Sequence, residues 1–97
     1  MRRRYLVTYD IRHPKRLRVV YRKMKGFGDA LQYSVFRCDL TAAEKIRLKA
    51  SLGETINHAE DRILIVDLGP ASGRAGEAFE VLGSQEQPPE KRDAYIV

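Results

Sequence analysis

The spacing of apolar residues changes several times along the chain, and each change marks an element. Tyr5 to Tyr9 alternates and is rich in β-branched and aromatic residues, which predicts a first strand over about 4–10 that ends at Asp10. Beyond Asp10 the period lengthens. Leu17, Val20, Tyr21 and Met24 recur at i, i+3, i+4 and i+7, the spacing of one buried helical stripe. Pro14 suits the first helical position, where its missing N–H is no loss, and Gly26 and Gly28 supply the stop.

Leu31 to Leu40 reads as extended structure, either one bent strand or two short ones. Leu31, Tyr33 and Val35 share one face, and Gln32, Ser34 and Phe36 the other. Thr41 with Glu44 fits a capping box opening a second helix over about 42–52, closed by Gly53. Ala43, Ile46 and Ala50 cluster on one side of that helix while Leu48 and Leu52 lie elsewhere, so either two surfaces are covered or its boundaries differ. A polar loop, Glu54 to Asp61, leads into the apolar run Arg62 to Asp67, which predicts a central strand buried on both faces. Gly69-Pro70 and Gly73 to Gly76 mark a loop, Ala78 to Leu82 a short further strand, and Gln85 to Arg92 a linker. Tyr95-Ile96-Val97 is an apolar end that invites docking, the partner subunit being one candidate.

The order β-α-β-β-α-β with a short extra C-terminal strand belongs to the α+β class and predicts a ferredoxin-like plan, an antiparallel sheet with both helices on one face. Residues 1–83 form the expected domain and 84–97 a tail. That plan hosts many functions and names none of them.

Ninety-seven residues suit one domain with a modest core, to which a homodimer would add buried apolar surface. The 18 Lys/Arg against 13 Asp/Glu give a net charge of +5, which draws polyanions and above all nucleic acid. Where those charges fall sharpens the point. Lys15, Arg16, Arg18, Arg22, Lys23 and Lys25 all lie off the first helix's apolar stripe, with no acidic residue between Ile11 and Phe27 to pair with them. A solvated face is the plain reading; a phosphate-binding face accounts better for the unrelieved repulsion.

The single cysteine, Cys38, excludes an internal disulfide and is compatible with a reducing compartment. No apolar run approaches the roughly 20 residues of a membrane span. The basic start is followed by Tyr5 to Tyr9, too short and polar for a signal-peptide core. A cytoplasmic protein without membrane partners is expected.

Several chemistries drop out. The chain has no phosphate-cradling G-x-x-x-x-G-K-[ST] loop, no dinucleotide G-x-G-x-x-G and no paired-cysteine zinc spacing. His13 and His58 stand 45 positions apart with no second ligand at helical spacing, and Cys38 reads as a small packing residue. Asp10 has two readings. Acids commonly end strands by making turns or caps. Alternatively its carboxylate holds Mg2+, which prefers oxygen ligands and keeps several waters. One carboxylate makes a poor site, but a two-fold axis near Asp10 would bring a second copy beside the first. Two Asp10 side chains could then share one Mg2+, which polarises a phosphoryl oxygen or activates water.

Two stretches carry a resemblance. Tyr5-Leu6-Val7-Thr8-Tyr9-Asp10-Ile11, followed by the basic Lys15-Arg16-Leu17-Arg18, looks like an opening strand with a "YDI" ending. Gly28-Asp29-Ala30-Leu31-Gln32-Tyr33-Ser34-Val35-Phe36 is similar to a "G-x-x-x-Q-x-S-V-F" segment, the more specific of the two. In this order and spacing, and with Arg62 to Leu68 as the later apolar strand, the chain resembles the CRISPR-associated Cas-two nucleases of spacer acquisition over roughly residues 4–83.

The resemblance implies a ferredoxin-like homodimer whose C-terminal strand adds to the neighbour's sheet. It implies a metal-dependent endonuclease (a hydrolase of RNA or DNA phosphodiesters) with Asp10 as metal ligand and catalytic residue. It also implies antiviral defence as an adaptor for the Cas-one integrase, with Lys15, Arg16, Arg18 and Arg22 on the nucleic-acid backbone. Tyr9 and Phe36 fall on motif positions near the site, where a core or interface role is equally open. Arg37 replaces an acid common at that position, Arg2-Arg3-Arg4 is an unusually basic start that would extend the anion-binding surface, and the tail after Gly83 does not align clearly. Two functions stay open: a Mg2+-dependent nuclease, or a non-catalytic scaffold for double-stranded DNA and the integrase. A small-molecule regulator is a remote third.

Overall fold

The computed structural model of the protein describes residues 1–73 and 78–84. The alternating N-terminal segment is strand β1 (Arg3–Asp10), and the striped segment is helix α1 (Pro14–Lys25). Tyr33 and Ser34 turn the chain between two short strands, β2 (Asp29–Gln32) and β3 (Val35–Leu40), so the extended stretch is two strands rather than one. Helix α2 (Ala42–Gly53) and strand β4 (Arg62–Pro70) follow.

Both helices start as the local chemistry dictates. His13 Nδ1 accepts from the Lys15 N–H at 3.1 Å ahead of Pro14, capping α1. The capping box of α2 is complete: Thr41 Oγ1 accepts from the Glu44 N–H at 3.1 Å, and Glu44 Oε1 from the Thr41 N–H at 2.8 Å.

The strands lie in the order β2-β3-β1-β4, every neighbouring pair antiparallel, as a ferredoxin-like plan requires. Tyr5, Val7 and Tyr9 of β1 and Phe36, Cys38 and Leu40 of β3 form one buried cluster with Val20, Tyr21 and Met24 of α1 and Leu48 and Leu52 of α2. Both helices therefore cover the same sheet face. Gly28 is fixed by its surroundings: a Cβ there would lie 2.6 Å from Cys38 Sγ and against the Arg37 carbonyl oxygen, so a side chain would force β2 off β3.

Three expectations change. The apolar run of β4 lies at the sheet edge instead of the centre; Ile63 and Ile65 pack on the core, while Leu64 and Val66 stand 48% and 43% exposed on the open face. On α2 the buried stripe is Leu48 and Leu52, and Ile46 points to solvent, because only one side of that helix meets the sheet. Residues 78–84 form no strand and run as irregular chain, with Phe79 to Leu82 beside Leu6, Leu31 and Val35. Beyond Ser84, the tail expected over 84–97 lies outside the described residues.

Candidate active site and basic helix

Side chains alternate along β1, so Leu6, Thr8 and Asp10 project from the open face while their odd-numbered neighbours face the helices. Asp10 is the last residue of the strand and is exposed, with Arg62 directly opposite on β4. The two line a depression of about 120 Å³ with Thr8, Tyr9 and Leu64. The β2–β3 turn comes to the same place, because the Tyr9 N–H donates to the Ser34 carbonyl at 3.1 Å. The two stretches that carried the resemblance thus meet at one end of the sheet. Among the described residues, no hydrogen bond or ion pair reaches the Asp10 carboxylate.

Phe36 belongs beneath this end, and Tyr9 is buried although part of it lines the depression. Their rings stack at 6.2 Å, the Tyr9 hydroxyl donates to the Tyr33 carbonyl, and Phe36 packs edge-on to Tyr21 at 5.7 Å. Strand alternation puts Tyr9 on the face opposite Asp10, which settles the open reading of both aromatics in favour of the core.

The basic face of α1 divides in two. Arg16 is held by the loop before β4: Nε donates to Asp61 Oδ2 at 2.7 Å, and Nη2 to Asp61 Oδ1 at 3.2 Å and Glu60 Oε1 at 3.0 Å. Lys23 Nζ donates to the Ser51 carbonyl at 2.8 Å and Thr55 Oγ1 at 2.7 Å, tying α1 to the end of α2. Lys25 lies 5.9 Å from the Tyr21 ring centre. Lys15, Arg18 and Arg22 form the other group, with no carboxylate partner among the described residues. Relief of the helix's charge therefore comes from across the fold, where the sequence offered none nearby.

Asp61 is a residue the sequence reading missed. Its side chain is fully buried and accepts from the Arg12 N–H at 2.9 Å and the Asn57 N–H at 2.8 Å besides Arg16. Those bonds, the Arg16 guanidinium foremost, hold its carboxyl far below the ordinary carboxylate range despite burial, which opposes ionisation. Asn57 Oδ1 accepts from the Ala59 N–H at 2.9 Å and so builds the turn that presents Asp61. The only signals in the sequence were the turn-forming Asn57 and an acid just ahead of an apolar run; neither identifies a partner 45 positions away.

The arginine-rich start is not unpaired positive charge. Arg2 pairs with Glu44, Arg3 with Asp67 at 3.0 Å and Arg4 with Asp39 at 2.7 Å, which neutralises all three. Arg37 pairs with Asp29 at 3.2 Å.

No three His, Cys, Asp or Glu residues converge as a metal cage among the described residues. His13 caps α1, His58 Nε2 lies 2.7 Å from the Gly53 carbonyl, and Cys38 is buried with its thiol pushed up to about 12 by desolvation. Asp10 differs from all of these: an exposed, unengaged oxygen donor of the kind a hydrated Mg2+ accepts, one per chain. No second carboxylate lines its depression among the described residues.

The strand order and the single helical layer make this a ferredoxin-like α+β domain. Residues 1–74 match the family described as CRISPR associated protein Cas2, and the chain belongs to that family. It is 51% identical over 67 residues to the CRISPR-associated endoribonuclease Cas2 of Geobacter sulfurreducens, covering 69% of this chain and 70% of that one. A Rhodospirillum rubrum protein of the same description is 41% identical over 87 residues, 84% of this chain and 85% of the relative. Streptococcus pyogenes Cas2, a solved structure, superposes with a TM-score of 0.72 at 34% identity, over 82% of this chain and 99% of that one. A hypothetical protein of Thermus thermophilus superposes with a TM-score of 0.73 at 28% identity, over 92% and 98% of the two chains. No helix among the described residues is long and apolar enough to cross a membrane.

Proposed function

We propose that this protein acts in the cytoplasm as a homodimeric CRISPR adaptation protein with the Cas-one integrase, and that it cleaves phosphodiester bonds using Mg2+ held between the Asp10 carboxylates of two copies. The observation that carries the reading is the placement of Asp10, exposed and unengaged, on the same open sheet face as Leu6, Val35, Leu64 and Val66. An apolar sheet face needs a cover. A second copy laid on it symmetrically would meet its own patch and bring the two acids toward one another at the rim. When bound there, Mg2+ would supply a polarised phosphoryl oxygen and a more acidic water. The chain's own residues do the rest. Lys15, Arg18 and Arg22 draw the polyphosphate backbone onto α1, with Arg16 contributing whatever donor capacity Asp61 and Glu60 leave it. Asp61 keeps the start of α1 in register with the strand end. RNA is the favoured substrate, since the curated relatives carry the name endoribonuclease.

A second reading rests on one observation: no general base stands near Asp10 among the described residues. It makes the protein a scaffold that holds double-stranded DNA for the integrase without cutting it. Replacing Asp10 with Asn separates the two. Mg2+-dependent cleavage of RNA or DNA should fall to background in Asp10→Asn while binding measured by anisotropy is retained. Cleavage at the wild-type rate would leave the scaffold alone standing.

A further inference from the structure

We propose that Arg62 is a catalytic residue of the Asp10 site, the cation that grips the phosphoryl group being cleaved; this rests on the nuclease reading above. Four arginines lie on the strands of the sheet. Three of them, Arg3, Arg4 and Arg37, are paired with Asp67, Asp39 and Asp29. Arg62 has an acid as its direct cross-strand partner, Asp10, yet among the described residues it makes no ion pair. Directly opposed residues of an antiparallel ladder stand about 4.5–5.5 Å apart at Cβ, on the same face. A paired arginine there would be the default. Instead an unengaged acid and an unengaged guanidinium flank one depression of about 120 Å³ at the end of the sheet, both exposed.

The neighbouring chain holds this arrangement in place. Arg62 follows the buried Asp61, whose bonds to the Arg12 N–H and the Arg16 guanidinium lock the start of β4 to the segment just after Asp10. The backbones carrying the acid and the cation are therefore fixed to each other by a buried ion pair, while both side chains are left free to meet a ligand. A planar guanidinium matches two phosphate oxygens at once, which an ammonium cannot do. In the reaction, the oxygen of an attacking water bonds to phosphorus, and the bond to the leaving ribose oxygen breaks. The water's proton is lost to solvent as the leaving oxygen gains one. Arg62 keeps its own protons throughout and balances the charge that gathers on the phosphoryl oxygens.

The test uses the full-length protein and the variants Arg62→Ala, Arg62→Lys and Asp10→Asn, all checked by thermal melting. With Mg2+ present, Arg62→Ala should cut kcat by roughly 10²-fold, the scale of losing one charge-stabilising donor, and Arg62→Lys should recover part of it. A second readout is independent of turnover: binding of an uncleavable 2′-O-methyl RNA in EDTA across a salt series. Arg62→Ala should flatten the plot of log affinity against log salt by about 0.7, one phosphate contact on a single strand, whereas Asp10→Asn should not flatten it. If Arg62→Ala cleaves at nearly the wild-type rate with an unchanged salt slope while Asp10→Asn is inactive, the Arg62 assignment is overturned and the nuclease reading survives. If Asp10→Asn still cleaves, or the wild type does not, both fall.

Discussion

On one strand, β1, Tyr5, Val7 and Tyr9 are no more than 7% exposed, while Leu6, Thr8 and Asp10 look out from the other side onto a face that neither helix covers. The covered face is packed shut: its aromatic rings meet one another, the Tyr9 hydroxyl donates to a carbonyl, and both helices seal it. The open face combines apolar side chains with an unengaged acid and an unengaged arginine. The comparison teaches that adjacent residues of one motif can have unrelated duties. Tyr9 holds the strand end up; Asp10 is what the strand end presents.

That contrast can be broken by experiment, beginning with the largest expected effect on folding. Phe36→Ala should cost about 3–5 kcal/mol in chemical denaturation, because a fully buried ring leaves a cavity under β1. A loss under 1 kcal/mol would show that the covered face is not the foundation described here.

Asp61→Asn should cost less, about 1.5–3 kcal/mol near neutral pH, by weakening charge-assisted bonds to Arg16 and the backbone. Its pH dependence has a definite sign. The folded protein holds the Asp61 carboxyl below its ordinary value of 3.8, so the stabilisation is fully present above that value and drains away as pH falls through and beneath it. The gap between wild type and variant should therefore narrow on acidification below about pH 4. A constant gap would mean that the charge of Asp61 is not what stabilises the clamp.

The smallest effect on the fold belongs to the open face. Leu64→Asp with Val66→Asp should change the stability of a single protomer by no more than about 0.5 kcal/mol per site, as exposed substitutions do. The same pair should shift the mass measured by light scattering from dimer to monomer. An unchanged dimer would place the contact between copies elsewhere and remove the support for a shared ion.

Local rules read well from the sequence alone. Pro14, the four-residue stripe of α1 and the Thr41–Glu44 box each act within a turn or two of chain, and each element lies where those residues put it. What failed depended on distant partners. The run Ile63 to Val66 reads as central because both of its sides are apolar, yet on one of those sides Leu64 and Val66 are left half exposed. Arg16 reads as free because no acid lies near it in sequence, yet the loop carrying Asp61 folds against it. The Arg2 to Arg4 cluster reads as a surplus of charge until the strands that carry Asp39 and Asp67 are laid alongside it. The position of Asp10 at its strand end is legible in the sequence, whereas its pairing with Arg62 emerges only once the ladder fixes which residue stands opposite.

The close approach at Gly28 has a further consequence. With the glycine backbone pressed on Cys38, the chain's single thiol is walled off behind the β2–β3 hairpin and carries its proton at every physiological pH. Two copies cannot be stapled through it without prising that hairpin apart. A pairing of two copies would therefore have to rest on contact alone, indifferent to oxidants.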